Sequence, residues 1–553
     1  MRLIKPLRFI TSTFLYFVTV STMLVHTSDP EIFFDWTVSY AQRAPLGVNK
    51  QVIVINDQFP GPLLNVTTDN VVHVNIHNNL TDPFLMTWLN GVQLRRNSWQ
   101  DGVQGTNCPI LPDQIGTFFY FPSLHFQKAA GGFGAIRVNN RAVIPIPFSL
   151  PYQYFDVLIG DWYNADYQML RASLDVGNGA TYRLRISNLG LKTSINFRIQ
   201  DHLMRLVETE GSYTTQDDEY DSLDIHVGQS YSVLVTAKND TNGTSYPMIA
   251  SSRFTKNILF GLGVIRYPGF VAHPLGPISP GPTPFNYTYS MLQAQSIRRN
   301  LSVGASLANP QGSYHYGQIN ISRTLILKNG VIFDGHKLRY TINGDTPLKL
   351  ADYFRLSDVF EPNIMFDTPN DNVLLVLGTS VVDAMYHDYV HVVFQNPLQQ
   401  IQTWHLDGYN FFVVGMGFGT WDESKKESYN LFNAVSRSTI QVYPLAWTAV
   451  LVKLDNQGMW NLRSQNAENW YLGQELYIRV KGIGQDDPST IPIQDEAPIP
   501  ENEADFFKGH AGCTFDYCIS YFKCQYKYFE YLLHLEAIPR ADLDPLLGFD
   551  FNM

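Results

Sequence analysis

Short runs of apolar and β-branched residues, each ending at Gly, Pro or Asn, recur along the whole chain. Examples are KQVIVIND, NVVHVNIHNNL, YFDVLIGDW, TYRLRISNL, LDIHVGQSYSVLVTA, HVVFQNP, FFVVGMG and WTAVLVKLDN. Runs of this length with turn residues between them are typical of strands in β-sandwich domains. The high Tyr and Phe content favours the same pleated structure. We therefore predict an all-β chain.

Three of these runs are similar to one another. VHVNIHNNL, YRLRISNLG and VHVVFQNPL each end in Asn at the same position of a strand-like segment. Such an echo indicates repetition of one module. A chain of 553 residues also exceeds what one hydrophobic core usually serves. We expect three consecutive sandwich domains.

Two breaks in composition separate these domains. The segment NRAVIPIPFSLPYQYFD marks the first break, and the Pro- and Gly-rich segment YPGFVAHPLGPISPGPTPFNYT predicts an extended linker. We divide the chain into a signal peptide (1–27), a first domain (28–145), a second domain (146–270), a linker (271–315), a third domain (316–500) and a divergent C-terminal tail (501–553).

The ends of the chain and its sequons indicate export. Arg2, Lys5 and Arg8 precede an apolar run from Phe9 to Val25, which is a signal peptide pattern. We find neither a transmembrane segment nor a lipid-anchor signal. A secreted, extracellular glycoprotein is expected, with seven candidate glycosylation sites at Asn65, Asn79, Asn239, Asn242, Asn286, Asn300 and Asn320. A formal net charge of −11 argues against a nucleic-acid partner or an anionic membrane.

The four cysteines fit the same compartment. Cys108, Cys513, Cys518 and Cys524 have neither the histidines nor the paired spacing of a zinc site. In an oxidising compartment a long-range disulfide from Cys108 to one of the three late cysteines is expected. The sequence leaves open which of the three is the partner.

Several motifs resemble one family in the same order along the chain. INDQFPGPLLNVTTDNVVHVNIHNNL, NSWQDGVQGTNCPI, GTFFYFPSL, LIGDWY, TWHLDGYNFFVVGMG and GMWNL resemble the multicopper oxidases, and more closely their plant Sku-type and pollen-specific L-ascorbate oxidase homolog branch. The resemblance covers residues 31 to 500. It implies three cupredoxin-like Greek-key β-sandwiches, with a type 1 copper in the third domain and a trinuclear copper cluster between the first and third. It also implies Cys513 as the partner of Cys108.

The copper-ligand positions of the first domain hold other residues here. Active members of the family carry two His-x-His motifs in this domain. In TWLNG, Thr87 stands for the first His, and Leu89 or Asn90 stands for the second. In YFPSL, Phe121 and Ser123 stand at the second motif.

The third domain has lost its ligands in the same way. In QTWHLDG, Gln402 and Asp407 replace His, and His405 alone is kept. Farther along, non-ligand residues replace His-Cys-His, the next His and the axial Met, namely Arg463, Ser464 and Gln465, then Asn469, then Gln474.

These replacements predict a chain without copper chemistry. Imidazole and thiolate bind copper tightly, and the Cys thiolate carries electrons inward. A Ser464 hydroxyl is a poor ligand beside a thiolate, and Arg463 places a permanent cation where a metal ion would sit. We therefore expect no catalytic residue, no metal site and no cofactor, although active relatives use copper. His405 is expected as a satisfied core histidine, and His387 and His391 as surface or turn residues.

Three functions follow from the residues and the resemblance. The first is a catalytically silent glycoprotein of the plant cell wall that acts in directional cell expansion or pollen-tube growth, with a wall polysaccharide or an apoplastic protein as partner. The alternative is a copper-dependent oxidoreductase of the ascorbate oxidase or laccase type. A third is a single-copper binder that uses His405 with Gln402 or His125.

The resemblance also predicts what fills the metal position. The family's His residues at the positions of Asp407 and Arg463 bind the same copper ion, so these two side chains should converge. A lone buried charge is costly, whereas an Asp–Arg pair compensates both charges. We predict a buried salt bridge between Asp407 and Arg463, close to His405 and between the first and third domains.

Overall fold

The computed structural model describes most of the three predicted domains. The described residues are 30–44, 49–68, 70–90, 115–124, 126–142, 145–161, 171–215, 219–239, 245–268, 278–302, 320–333, 338–343, 363–364 and 380–482. The predicted signal peptide, the whole predicted tail and all four cysteines lie outside these ranges. Within them, no helix is long and apolar enough to cross a membrane.

The first domain is a sandwich of two sheets with the strand orders β2-β1-β4 and β3-β7-β6-β5. Trp36, Trp88 and Tyr120 meet in its core, and the ring centroids of Trp36 and Tyr120 lie 4.8 Å apart. The strands are β1 (Glu31–Arg43), β2 (Lys50–Ile55), β3 (Leu64–Thr67), β4 (Val71–Asn78), β5 (Met86–Asn90), β6 (Gly116–Pro122) and β7 (Gly134–Asn139). A 3-10 helix at Gln127–Ala130 precedes β7.

The second domain repeats this arrangement. Its sheets have the orders β13-β12-β16-β10-β8, with β14 beside β12, and β15-β11-β17-β18-β9. The strands are β8 (Gln153–Ile159), β9 (Arg171–Asp175), β10 (Thr181–Asn188), β11 (Ile195–Ile199), β12 (Met204–Thr209), β13 (Ser212–Tyr213), β14 (Glu219–Tyr220), β15 (Ser222–Ile225), β16 (Ser230–Thr236), β17 (Ser245–Ser252) and β18 (Phe260–Arg266).

The third domain has the sheet orders β20-β19-β23-β28-β25-β26 and β21-β22-β30-β29-β24-β27. A 3-10 helix lies at Glu423–Ser428, and a short α-helix, α2, at Ala467–Tyr471. The strands are β19 (Arg323–Phe333), β20 (Leu338–Ile342), β21 (Asn363–Ile364), β22 (Ser380–Met385), β23 (Tyr389–Asn396), β24 (Gln402–Leu406), β25 (Phe411–Phe418), β26 (Ser436–Arg437), β27 (Thr439–Val442), β28 (Ala446–Lys453), β29 (Gly458–Ser464) and β30 (Glu475–Lys481).

The predicted all-β class is confirmed, and each apolar run that predicted a strand lies on one or two strands. Apolar side chains of the second and third domains form one continuous buried cluster, and the first domain has a cluster of its own. The second and third domains therefore share a core across their boundary.

The three echoed runs occupy equivalent strands. They are β4, β10 and β23, and each pairs in parallel with the first strand of its domain, which is β1, β8 or β19. Each echoed strand ends at its Asn, namely Asn78, Asn188 and Asn396. The Asn oxygen accepts a hydrogen bond from the backbone N–H two residues later in all three domains. The predicted repetition of one module therefore extends to individual hydrogen bonds.

The predicted linker contains an ordered helix, which the Pro- and Gly-rich composition did not indicate. This helix, α1 (Tyr287–Ser296), begins at Asn286, whose side chain accepts a hydrogen bond from the Tyr289 N–H. Ser290 of α1 contacts Tyr443 of the third domain, and Gln293 contacts Asp224 of the second. The segment therefore packs between two domains rather than hanging free.

Candidate functional site

Three adjacent strands of the third domain carry most of the positions that the sequence singled out. β29 lies between β24 and β30, and the register aligns His405 with Arg463 and Arg463 with Glu475. Trp404 pairs with Ser464 one residue away. Because side chains alternate along a strand, these two rows point to opposite faces of the sheet. We call them the ion-pair face and the amide face.

The ion-pair face contains the predicted salt bridge. The Arg463 guanidinium donates to an Asp407 carboxylate oxygen, and their side chains are 2% and 9% exposed. Burial alone raises the pKa of Asp407, but Arg463 and His405 hold it below its ordinary value. The prediction for Asp407 and Arg463 is therefore confirmed.

His405 is held between two partners on the same face. Its Nε2 lies 2.9 Å from Asp407 Oδ1, and its Nδ1 lies 2.8 Å from the Thr439 hydroxyl. Both ring nitrogens are engaged, so neither presents a free lone pair to a metal ion. The interpretation of His405 as a satisfied core histidine is confirmed.

Trp470 and Glu475 complete the surroundings of Arg463. The Arg463 guanidinium carbon lies 4.8 Å from the Trp470 ring centroid, a cation–π arrangement. Glu475 accepts hydrogen bonds from Asn461 and from the Trp470 ring N–H. Burial raises the pKa of Glu475 to about 7, and the effect of these partners and of Arg463 is smaller. Sequence analysis missed Glu475, since nothing in LGQEL marks it as buried.

The first domain brings a second cation towards this face. Lys128 is 7% exposed, and its ammonium lies 4.4 Å from the ring centroid of Phe121. Burial lowers the pKa of Lys128 to about 7, with Asp161 raising it and Arg463 lowering it by smaller amounts. The first and third domains therefore meet with one buried cation each, and Lys128 is a further residue that sequence analysis missed.

The predicted first-domain positions Thr87, Asn90 and Phe121 lie on the neighbouring strands β5 and β6. Thr87 on β5 pairs with Phe121 on β6, and the register then shifts so that Asn90 pairs with Phe119. This β-bulge absorbs an extra residue of TWLNG, so the backbone of Asn90 rather than Leu89 continues the pairing. The side chains of Leu89 and Asn90 lie outside the described part of the chain, as does His125.

The amide face carries Gln402, Ser464, Asn469 and Gln474, the positions that the resemblance assigns to the type 1 copper. Asn469 donates to the Gln474 side-chain oxygen over 3.1 Å, and the Ser464 N–H donates to the Gln474 carbonyl over 3.0 Å. Gln402, Ser464 and Gln474 are fully buried. Gln465, also buried, points away from this row and donates its N–H to the Thr403 carbonyl.

Copper does not fit either face. The ion-pair face offers one imidazole with both nitrogens bonded, together with a guanidinium in the middle of the row. The amide face offers amides, a hydroxyl and an indole N–H, none of which is a strong copper ligand. Across the described ranges, no three His, Cys, Asp or Glu side chains converge as metal ligands do.

Comparison with known proteins identifies the family of this chain. Family models described as multicopper oxidase match residues 37–143, 156–269 and 345–483. The chain belongs to the multicopper oxidase family. It is 45% identical to an L-ascorbate oxidase homolog from Brassica napus, over 88% of this chain and 94% of the relative. It is 44% identical to Monocopper oxidase-like protein SKS1 from Arabidopsis thaliana, over 88% and 91%.

A solved structure confirms the cupredoxin-like fold of this multicopper oxidase relative. Fet3p, a multicopper oxidase that functions in iron import, superposes with a TM-score of 0.68 at 18% identity, over 87% of this chain and 95% of Fet3p. The resemblance that the motifs indicated, to the L-ascorbate oxidase homolog branch, is confirmed by the relatives at 44–45% identity.

His387 and His391, for which the sequence predicted surface or turn positions, differ in burial. His387 is exposed in a turn with φ of 73°, as predicted. The prediction was wrong for His391, which is fully buried on β23 and contacts Tyr429 and Thr324. Its burial lowers the pKa to about 4. Every residue of β23 is buried, so its sequence does not alternate between apolar and polar residues. The burial of His391 could therefore not be predicted from the sequence pattern.

The predicted glycosylation positions are mostly at the surface. Asn300 is half-buried, and Asn242 lies outside the described residues. The exposed positions are Asn65, Asn79, Asn239, Asn286 and Asn320. Cys108 and Cys513 are not among the described residues, so their disulfide stays a prediction.

Proposed function

We propose that this chain is a secreted, catalytically silent glycoprotein that acts at the plant cell wall by binding, in directional cell expansion or pollen-tube growth. One observation carries the proposal. At the positions where active members of the family bind the trinuclear cluster, Asp407, His405 and Arg463 form a buried hydrogen-bonded row. A row in which each charge has a partner supports a structural use of this face.

Export is part of the proposal. Its support is the basic and then apolar N-terminal sequence, together with sequons whose Asn side chains are exposed. Asn286 is compatible with a glycan because its side-chain oxygen caps α1, which leaves the amide nitrogen as the attachment atom. Glycosidase treatment of protein from a secreting plant cell should lower its apparent mass. An unchanged mass would contradict the glycoprotein assignment.

For the partner, we propose a wall polysaccharide or an apoplastic protein, and no nucleic acid. The support is the net charge of −11, which disfavours nucleic acid, together with the predicted export of the chain. Retention of the purified protein on isolated wall polysaccharide, compared with retention on an inert matrix, tests the first option. Crosslinking in intact wall tests the second.

The competing function is a copper-dependent oxidoreductase of the ascorbate oxidase or laccase type. It is favoured only by the family to which the chain belongs, and the residues at the ligand positions speak against it. Oxygen uptake with ascorbate and with a phenol, after exposure to copper, decides between the two. We expect no uptake above the blank, with an active L-ascorbate oxidase as positive control, and uptake that is enzymatic and saturable would establish the oxidase.

A further inference from the structure

The amide face concentrates buried polar atoms that lack partners. In the part of the chain that the structure describes, no hydrogen bond reaches either side-chain atom of Gln402, the ring N–H of Trp404, the hydroxyl of Ser464 or the side-chain nitrogen of Gln474. All four residues are fully buried. Native proteins leave few such atoms without a partner, and each needs a physical explanation.

The strand register places these atoms together. Trp404 and Ser464 are directly paired across β24 and β29. Arg463 pairs with Glu475, so the following residue Ser464 lies opposite Gln474. The Ser464 N–H donates to the Gln474 carbonyl. Gln402 lies two residues before Trp404 and therefore on the same side of β24. β24, β29 and the residue before β30 thus present four buried side chains with unpartnered polar atoms to the same face of the sheet.

The chemistry of these atoms selects the ligand. Trp404 can only donate, and Gln474 has a free donor because its oxygen already accepts from Asn469. Gln402 offers a donor and an acceptor in either amide orientation, and Ser464 can serve as either. A metal cation needs acceptors and would be repelled by the Trp and amide N–H groups. Water both donates and accepts, and it requires several polar partners in a buried site.

We propose that the amide face is a closed water site. One or two ordered water molecules accept from Trp404 and Gln474 and bridge to Gln402 and Ser464, at the position that the outer copper ion holds in active relatives. The site explains how this domain keeps polar residues in its core after the loss of the metal. It does not depend on the proposed binding function.

A crystal structure of the glycosylated full chain, at a resolution that shows ordered water, tests the site directly. We expect density within hydrogen-bonding distance of the Ser464 hydroxyl and of at least two of the other three side chains. Side chains that turn to bond one another without intervening density would overturn the proposal. An anomalous signal at this place after bromide soaking, or from copper, would overturn it equally, by showing an anion or a metal.

A pair of variants gives an independent test in solution. If Gln402 binds water, Gln402→Leu removes a partner of that water and lowers the thermal unfolding midpoint. If the face is dry, the same variant removes two unpartnered polar atoms and raises the midpoint. Gln395→Leu is the matched control, because the Gln395 amide is bonded to Gly419, Ala446 and Trp421. A shift of Gln402→Leu opposite in direction to that of Gln395→Leu contradicts the water site.

Discussion

At the level of single residues, Arg463 is a buried positive charge in the third domain. Its partner Asp407 is in turn bonded to His405, and His405 to Thr439. A buried pair of this kind adds little stability compared with apolar residues, but removal of one partner leaves an uncompensated buried charge. The row is therefore sensitive to single substitutions.

Arg463→Met should destabilise the protein strongly, because it leaves Asp407 buried without its main counter-charge. We expect the free energy of unfolding to fall by about 3–5 kcal/mol. The double variant Asp407→Asn, Arg463→Met removes both charges and should recover a large part of this loss. Chemical denaturation of the three proteins measures the effect, and equal losses in the single and double variants would contradict the ion-pair explanation.

Glu475 should make stability depend on pH. Its pKa is raised to about 7, so the folded protein binds a proton that the unfolded chain has released. Its contribution is fully present below the ordinary pKa of Glu and is lost as the pH rises through about 7. Glu475→Gln keeps an acceptor for Asn461 and Trp470 but cannot ionise. The stability of this variant relative to the native protein should therefore increase between about pH 5 and pH 8. Glu219→Gln, at an exposed position, is the control. The measurement is the thermal unfolding midpoint of the three proteins as a function of pH, and the same pH dependence in all three would refute the assignment.

At the level of elements, the asparagine at the end of each echoed strand hydrogen-bonds the turn that follows it in all three domains. Asn396 accepts from the Leu398 N–H and donates to the carbonyls of Gln400, Val442 and Tyr443. Asn396→Ala removes the hydrogen bonds to the buried carbonyls of Val442 and Tyr443 and should cost about 1–3 kcal/mol of stability. Asn78→Ala, at the equivalent but exposed position, should cost clearly less, since water replaces its bonds. Equal losses in thermal or chemical unfolding would argue against this role.

Sequence predicted the strands because their alternation and turn residues are local signals. It predicted the contact of Asp407 with Arg463 because the resemblance implied which positions converge. Lys128 gave no such signal, since its burial comes from packing of the first domain against the others. The helix α1 was hidden by the prolines before it, although Asn286 is a recognisable N-cap residue.

At the level of the whole molecule, the end of β12 and the turn after it contact both neighbouring domains. Near the end of β12, Glu208 accepts from the Thr117 N–H of the first domain over 2.9 Å. Glu210 accepts from Arg437 and from the N–H groups of Ser438 and Thr439 in the third domain. All these groups are buried. The turn therefore couples the three domains mechanically.

Glu210→Ala should uncouple the third domain. The variant leaves the buried Arg437 guanidinium without its carboxylate, so the interface between the second and third domains weakens. We expect differential scanning calorimetry of the variant to show a separate unfolding transition of the third domain at a lower temperature. In the native protein we expect the domains to unfold in one transition. Glu219→Ala, which removes an exposed ion pair with Arg205, should leave the thermogram unchanged. A single unsplit transition in Glu210→Ala at the native temperature would contradict the coupling.

The copper content of the purified, glycosylated full chain tests most directly whether this member of the family has lost the ability to bind copper. Elemental analysis after exposure to copper and removal of free metal should find far less than one ion per chain, and the solution should be colourless. Ser464→Cys should give the same result, because a thiolate without histidines at Gln402 and Asn469 does not complete a copper site. One or more copper ions per native chain, retained after chelation and accompanied by a blue colour, would contradict the loss of the copper site.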